Sequence, residues 1–190
     1  RVNLSAYERC RMAADVAASM GYCHSRTPCI IHRDLKSHNV LVADDGTLKL
    51  CDFGLVRTKT TQAGTPSYMA PELLDGKPFH KAVDVYAFGI LLHEIFSGEV
   101  PFDGCDFYDV RTRVGRGDRP RVPTLDVPDA IQTMMVDCWH ARPERRPEMA
   151  DVHATLQELL EKLPRQSNLA ALESDDFGGG AALDDLLGFK

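Results

Sequence analysis

The sequence predicts a mainly α-helical (α+β) fold with one small β-hairpin. Residues 6–24 carry apolar side chains at helical spacing, and residues 83–96 are apolar on nearly every face. Two short segments, apolar residues 40–42 and residues 48–51, in which Leu48, Leu50 and Cys51 alternate with Lys49, flank residues 44–46, Asp-Asp-Gly, whose composition reverses a chain into a hairpin. Because a helix that is apolar all round must be buried, we expect residues 83–96 to lie inside the core.

The first helix has start and stop signals at its ends. Ser5 and Glu8 have the spacing of a capping box, and Thr27-Pro28 interrupts the apolar pattern. We therefore predict a helix over residues 6–24. The apolar residues 30–31 then read as a short strand that leads into a polar loop.

The helical pattern continues beyond the buried helix, which is predicted to end at Ser97-Gly98. Amphipathic segments follow at residues 107–114, 130–139 and 147–163, and prolines interrupt the chain between them. The sequence therefore predicts a bundle of helices beneath one hairpin.

Residues 164–190 differ in composition from the rest of the chain. They include three consecutive glycines, and five acidic residues fall between positions 173 and 190. This composition predicts a disordered acidic tail. The alternative is a short helix that docks in a groove, because Leu183, Leu186 and Leu187 are spaced as one face of a helix.

Polar residues cluster around the predicted hairpin. His32-Arg33-Asp34 precedes Lys36 and Asn39, and Asp52 follows the second strand. Pairing of the strands would bring Asn39 and Asp52 to the same end of the hairpin. Oxygen-bearing side chains beside a carboxylate and a lysine suit Mg²⁺ and phosphate.

These residues belong to three motifs in a fixed order. His-Arg-Asp-Leu-x-x-x-Asn begins at His32, Asp-Phe-Gly occupies residues 52–54, and Ala-Pro-Glu occupies residues 70–72. Together they resemble the signature of the eukaryotic protein kinases, over roughly residues 4–163.

The resemblance implies a domain division. Residues 1–163 would be the C-terminal lobe of a kinase domain, and residues 164–190 a separate acidic tail. No glycine precedes Gly21 and no lysine precedes Lys36. We therefore expect the N-terminal lobe, with its glycine-rich loop and phosphate-binding lysine, to be missing, and the chain by itself to be inactive.

The resemblance also implies roles in phosphoryl transfer from ATP. Asp34 would accept or orient the proton of the substrate hydroxyl, and Lys36 would stabilise charge on the transferring phosphoryl group. Asp52 and Asn39 would each hold a magnesium ion. Leu41 would form an apolar floor beneath the adenine ring.

A second set of residues is implied to support the site: His32, Phe53, Gly54, Glu72, Asp84 and Arg146. His32 and Phe53 would pack in an internal spine. Asp84 would accept backbone amides of the catalytic loop, residues 32–39, and Arg146 would form a buried pair with Glu72.

Two residues indicate the substrate class. Lys36 stands two positions after Asp34, as in serine/threonine kinases, whereas tyrosine kinases usually have an arginine in this loop. Thr65 stands where serine/threonine kinases place a threonine that bonds to this aspartate and lysine. The phrases HRDLKS and GTPSYMAPELL resemble the tyrosine-kinase-like group, including Raf-like and mixed-lineage kinases. This resemblance implies protein Ser and Thr hydroxyls as substrates.

The segment between the second and third motifs contains hydroxyls suited to regulation. Thr58, Thr60 and Thr61 lie in a basic context, and a phosphate there could pair with Arg33 next to Asp34. The resemblance thus implies an upstream activating kinase as a partner.

Composition excludes other function classes. The net charge is −6, so the chain lacks the basic footprint of a nucleic-acid-binding protein, and no membrane-length apolar run occurs. Six cysteines without a secretory signal favour a cytoplasmic location, with the nucleus as the alternative. Cys23, His24, Cys29 and His32 are spaced too irregularly to favour a zinc site.

Two alternatives to an active kinase stay open. One is a pseudokinase that retains the loop as an interaction scaffold. The other is a truncated gene product without independent activity. The intact set of Asp34, Lys36, Asn39 and Asp52 favours catalysis by the parent protein.

Overall fold

The computed structural model describes residues 4–57, 63–165 and 180–188, which form a mainly helical fold with one two-stranded sheet. The elements are α1 (Ala6–His24), β1 (Val40–Val42), β2 (Leu48–Leu50), α2 (Pro71–Leu74), α3 (Ala82–Ser97), α4 (Phe107–Arg116), α5 (Asp129–Cys138), α6 (Met149–Lys162) and α7 (Leu183–Leu187). The predicted fold class is therefore confirmed. Of the described helices, none has the length and apolar character needed to cross a membrane.

Helix α3 lies at the centre of the core, as its apolar sequence predicts. Tyr86, Phe88 and Leu91 are fully buried. Gly89 allows α3 and α5 to approach closely, because a Cβ atom at this position would lie 2.9 Å from Cβ of Cys138. The helix ends at Gly98, which adopts the left-handed conformation with φ of 67°.

Helix α1 packs against α6, β2 and α3, and the loop of residues 32–39 follows its C-terminal end. Its predicted capping box is present: the N–H of Glu8 donates to Ser5 Oγ at 3.2 Å, and the N–H of Ser5 donates to a Glu8 carboxylate oxygen at 2.7 Å. These bonds satisfy donors that the first helical turn leaves without intrahelical partners.

The hairpin is antiparallel, with Val40 opposite Leu50 and Val42 opposite Leu48. The strand predicted at residues 30–31 is wrong. The N–H of Ile30 donates instead to the carbonyl of Cys23 at 3.1 Å, so this backbone closes the end of α1 and joins no sheet.

The described part of the acidic segment, residues 180–188, packs on the hairpin. Residues 183–187 form α7, and the side chains of Leu183, Leu186 and Leu187 belong to the core. For residues 180–188 the predicted disorder is therefore wrong and the docking alternative describes the fold, because these three leucines share one face and find an apolar surface. Residues 166–179 lie outside the described residues, and the division at residue 163 stays a prediction.

Candidate active site

Asp34 lies at the centre of a small polar cluster at one end of the hairpin. Its Oδ1 accepts two hydrogen bonds from Thr65, from the N–H and from the hydroxyl, each at 2.9 Å. Lys36 Nζ lies 2.8 Å from Thr65 Oγ1 and 3.4 Å from Asp34 Oδ2. The predicted contact of Thr65 with the aspartate and the lysine is therefore present.

Asn39 closes the loop from the other side. It ends a 3₁₀ turn, Ser37–Asn39, and its side-chain Nδ2 donates to the carbonyl of Asp34 at 2.8 Å and to Asp34 Oδ2 at 3.1 Å. Because both hydrogen bonds use the amide nitrogen, the amide oxygen of Asn39 is directed away from Asp34. The Asp34 carboxylate is consequently held by groups from two separate loops.

Asp52 leaves the end of the hairpin next to Asn39. The N–H of Cys51 donates to the Asn39 carbonyl at 3.0 Å, which places Asn39 and Asp52 at the same end of the sheet as predicted. Asp52 has a left-handed φ of 56°, its Oδ1 accepts the N–H of Gly54 at 3.1 Å, and the residue is exposed. This turn directs the carboxylate out of the strand and into solvent.

His32 and Phe53 make the predicted ring contact. Their ring centroids are 4.8 Å apart with an interplanar angle of 58°. The other side of His32 is fixed, since its Nε2 lies 3.0 Å from the carbonyl of Cys51. Phe53 is still 41% exposed, so only one face of its ring is packed.

Asp84, the buried acid in the first turn of α3, anchors the loop from below. It accepts the N–H groups of His32 at 2.9 Å and Arg33 at 2.8 Å, as predicted. His24 Nε2 lies 2.9 Å from the same carboxylate, a contact that the sequence did not predict. These partners offset the cost of burying the charge.

Gly64 passes very close to the loop just before Thr65. A Cβ atom built at this position would lie 2.9 Å from the carbonyl oxygen of Arg33, and φ of Gly64 is +127°. Both the space and the backbone conformation therefore require glycine here.

This arrangement agrees with the comparison with known families. A family model for protein tyrosine and serine/threonine kinases matches residues 1–156. The chain belongs to this protein kinase family. The resemblance carried by the three motifs is thereby confirmed.

Several curated kinases are similar to this kinase chain. It is 37% identical over 180 residues to the serine/threonine-protein kinase CTR1 of Arabidopsis thaliana, covering 89% of this chain and 22% of CTR1. It is 37% identical over 171 residues to the dual specificity protein kinase shkA of Dictyostelium discoideum, covering 84% and 32% respectively. A protein of Acanthamoeba polyphaga mimivirus, named as a serine/threonine-protein kinase/receptor, is 40% identical over 155 residues. This match covers 79% of this chain and 9% of the viral protein. The chain thus spans a third or less of the length of these relatives.

The kinase domain also contains the predicted buried ion pair. Nη1 and Nη2 of Arg146 lie 2.6 and 3.0 Å from the two carboxylate oxygens of Glu72. The Arg146 side chain is fully buried, and it also donates to the carbonyls of Ala82 and His140. This bidentate pair joins the Ala-Pro-Glu segment to the loop that precedes α6.

A buried network at Glu94 was not predicted from the sequence. Its two carboxylate oxygens accept the hydroxyls of Ser37 at 2.7 Å and Tyr68 at 2.5 Å. Burial raises the pKa of Glu94 from 4.5 to about 7, against the lowering effect of these hydrogen bonds. In the sequence, the only sign of this network is that Glu94 is an acidic residue within the largely apolar run of α3. Its partners lie 26 and 57 residues away, so the sequence alone does not identify them.

Three further predicted features of the site are Arg33, Leu41 and the threonines that follow Arg57. Arg33 is buried, donates to the carbonyl of Leu55 at 3.1 Å and has its guanidinium 4.8 Å from the centroid of the Phe79 ring. Leu41 is half-buried at the edge of the sheet. The three candidate regulatory residues, Thr58, Thr60 and Thr61, lie outside the described residues.

The histidines of the zinc alternative have other partners. His24 faces Asp84 and His32 faces the Cys51 carbonyl. Within the described ranges, no group of three or more His, Cys, Asp and Glu side chains could hold a metal ion. A pair made of an amide and a carboxylate, such as Asn39 and Asp52, is a different kind of group and is not covered by this search.

Proposed function

We propose that the protein containing this domain is a serine/threonine protein kinase that transfers the γ-phosphoryl group of ATP to Ser and Thr hydroxyls of protein substrates. The observation that carries the proposal is the Asp34 carboxylate, which is oriented by Thr65 on one side and by Asn39 and Lys36 on the other. An oriented carboxylate beside a lysine is the arrangement that phosphoryl transfer to a hydroxyl requires.

Asp34 would orient the substrate hydroxyl and accept its proton. Its Oδ1 accepts two hydrogen bonds from Thr65. Its Oδ2 accepts one hydrogen bond from the amide of Asn39 and lies 3.4 Å from the ammonium group of Lys36. A carboxylate fixed in this way loses little freedom when the hydroxyl binds, which favours catalysis by positioning.

Lys36 would stabilise negative charge on the transferring phosphoryl group. Its ammonium group lies 3.4 Å from Asp34 Oδ2, so a phosphoryl group that reacts beside Asp34 would also lie near this positive charge. Its second partner, Thr65 Oγ1 at 2.8 Å, fixes the flexible side chain.

The residues present fit Mg²⁺ and ATP. The amide oxygen of Asn39 and the exposed carboxylate of Asp52 are hard oxygen donors at one end of the sheet, which is the chemistry that Mg²⁺ prefers. Magnesium, when bound, would neutralise charge on the phosphates and help to orient them. Leu41 would provide apolar contact to the adenine.

Support for Ser and Thr as substrates comes from two sources. One is the Lys36–Thr65 contact, which the resemblance associates with serine/threonine kinases. The other is the relative CTR1, which is named as a serine/threonine-protein kinase, whereas shkA is named as a dual specificity kinase.

Phosphate transfer by the full-length protein tests this proposal. We expect magnesium-dependent incorporation of label from ATP into Ser and Thr of a generic protein substrate, and Asp34→Ala should lower turnover at least about a hundredfold. The exposed Asp137 provides a matched control, and Asp137→Ala should leave turnover unchanged. Equal labelling by wild type and Asp34→Ala would overturn the mechanism, absence of labelling in both would favour the pseudokinase scaffold, and label on tyrosine alone would overturn the substrate class.

We further propose that phosphorylation of Thr58, Thr60 or Thr61 by an upstream kinase regulates the site through Arg33. The support is the position of Arg33: its N–H is held by Asp84, and its guanidinium bonds to the Leu55 carbonyl in the segment that leads to these threonines. A phosphate that paired with Arg33 would link this segment to the residue beside Asp34. We propose a cytoplasmic location, with the nucleus as the alternative; the six cysteines are free thiols.

A further inference from the structure

Residues 180–182 extend the hairpin along the free edge of β1. The N–H of Val42 donates to the carbonyl of Ala181 at 2.9 Å, and the N–H of Gly180 donates to the carbonyl of Val42 at 3.2 Å. Leu41 and Ala182 form an antiparallel bridge. The acidic segment therefore pairs with the backbone of β1 on the side opposite to β2.

Helix α7 continues from this pairing onto the catalytic loop. It contacts β1 and the 3₁₀ turn Ser37–Asn39, which ends at the asparagine that bonds to Asp34. Leu183 is fully buried and Leu186 is 3% exposed. We call the surface formed by the β1 edge and residues 37–39 the β1 groove.

The charges in the β1 groove oppose tight binding. Asp184 Oδ2 lies 3.0 Å from His38 Nε2, but the His38 side chain is 65% exposed, so this pair stabilises the contact only slightly. Asp184 Oδ1 is buried and has no hydrogen-bond partner within the described residues. Asp184 also places a negative charge near enough to Glu94 to contribute to raising the pKa of that carboxyl group. A buried carboxylate oxygen without a donor costs free energy that the docked segment has to offset.

We infer that residues 180–188 are a displaceable intramolecular ligand of the β1 groove. The favourable contacts are backbone pairing, a leucine face and the exposed pair of Asp184 with His38, and the unfavourable feature is the buried Asp184 oxygen without a donor. A helix of five residues does not persist in water by itself, so α7 is helical only while it is docked. Covalent connection to the domain gives the segment a high effective concentration, which allows weak contacts to hold it in place.

Docking has a consequence for the catalytic loop. The occupied groove braces residues 37–39 and the backbone of Leu41 at the same time. Release would free the turn that carries Asn39 and leave the β1 edge open to a competing segment. This consequence for catalysis rests on the proposed function, whereas the docking itself does not.

Hydrogen exchange tests whether the segment pairs with β1 in solution. Gly180→Pro removes the N–H that donates to Val42 and cannot adopt the φ of +107° found at Gly180. Leu183→Asp with Leu186→Asp places charges in the apolar groove. We expect both variants of the full 190-residue chain to exchange the Val42 amide at least tenfold faster than wild type. Asp185→Asn, at an exposed position of α7, is the matched control and should exchange at the wild-type rate.

A synthetic peptide of residues 180–190 with a fluorescent label tests displacement. Because the intramolecular segment competes for the groove, we expect the peptide to bind the Leu183→Asp/Leu186→Asp variant at least tenfold more tightly than wild type. The same peptide with both leucines replaced by Asp should bind neither protein.

Three outcomes would overturn the inference: unchanged Val42 exchange in both variants, failure of the peptide to bind the double variant, or equal binding to the double variant and wild type. Gly180→Pro alters no core side chain, so it still tests the pairing if the double variant fails to fold. Loss of the helical circular dichroism signal would show that the double variant is unfolded. None of these measurements involves phosphate transfer, so the inference and the proposed kinase activity can fail independently.

Discussion

Asp84 holds Arg33 in a left-handed backbone conformation. The N–H of Arg33 donates to Asp84 Oδ1 at 2.8 Å, and φ of Arg33 is 71°, a conformation that non-glycine residues adopt at a cost. Arg33 directly precedes Asp34, so the direction of the Asp34 carboxylate depends on a carboxylate in α3. A buried residue of α3 thus helps to determine the geometry of the cluster around Asp34.

The first prediction concerns this anchor. Asp84→Asn replaces one acceptor oxygen by an amide donor that faces backbone N–H groups, so at least one buried donor loses its partner. We expect a loss of about 1–3 kcal/mol in the free energy of unfolding, measured by urea denaturation, and a reduced kcat in the full-length protein. Asp137→Asn, at an exposed position, should change neither quantity. Unchanged kcat in a folded Asp84→Asn protein would contradict the positioning role.

The second prediction concerns the buried pair of Arg146 and Glu72. Glu72→Gln leaves a fully buried guanidinium without its counter-charge, and we expect destabilisation by about 3–5 kcal/mol. Lys77 provides the comparison, because it pairs with Asp75 at 2.8 Å while its side chain is 66% exposed. Lys77→Gln should cost less than about 1 kcal/mol. Chemical denaturation of the three proteins measures both effects, and equal losses would contradict the role of burial.

The third prediction concerns the Thr65 hydroxyl. Thr65→Val keeps the shape but removes the group that joins Asp34 Oδ1 and Lys36 Nζ. We expect kcat of the full-length protein to fall at least about tenfold with little change in the KM for ATP, because positioning of the base is affected more than nucleotide binding. Thr65→Ser retains the hydroxyl and should remain within about twofold of wild type. A Ser variant as inactive as the Val variant would assign the effect to the methyl group.

The fourth prediction concerns the pH dependence of stability. Burial raises the folded-state pKa of Glu94 from 4.5 to about 7, so the folded protein binds a proton here more tightly than the unfolded chain does. The stabilising contribution of this proton is complete below about pH 4.5 and is lost as the pH rises through about 7. Denaturation of wild type and Glu94→Gln between pH 4.5 and 8 measures this contribution, because glutamine cannot titrate.

The raised pKa of Glu94 determines the direction in which the free energy of unfolding changes with pH. The wild-type free energy of unfolding should decrease relative to that of Glu94→Gln as the pH rises over this range, by an amount on the order of a few kcal/mol. A difference between the two proteins that is constant with pH would show that folding does not raise the pKa of Glu94.

The fifth prediction concerns regulation. Replacing Thr58, Thr60 and Thr61 together by Ala should lower the activity of the full-length protein. Arg33→Ala should largely remove the response to phosphorylation, because the phosphate would lose its guanidinium partner. Mass spectrometry of the active protein that finds no phosphate between Gly54 and Ala70 would contradict the regulatory role.

The parts of the fold that the sequence predicts are those with local signals. The capping box at Ser5 and Glu8 and the all-apolar run of α3 define their elements without reference to distant residues. The predicted start of the last helix at Pro147 was two residues too early, because the helix begins at Met149. Boundaries depend on caps that several neighbouring residues can supply.

The parts that could not be predicted depend on distant contacts. The sequence predicts His24 as the last residue of α1 and gives it no partner, yet its ring contacts a carboxylate 60 residues away in sequence. The docking of α7 depends on the apolar face beside β1, which exists only after the hairpin and the catalytic loop have folded. The cluster around Asp34 was predicted because the motif resemblance supplied the pairing of Thr65 with Asp34 and Lys36.

The close approach at Gly64 means that the distance between two loops depends on a residue without a side chain. Any side chain there would collide with the carbonyl of Arg33 and push the following threonine away from the base. We therefore expect Gly64→Ala, which adds only a methyl group, to disturb the two hydrogen bonds from Thr65 to Asp34. The geometry of the cluster thus depends on residue 64, although this residue contributes no functional group.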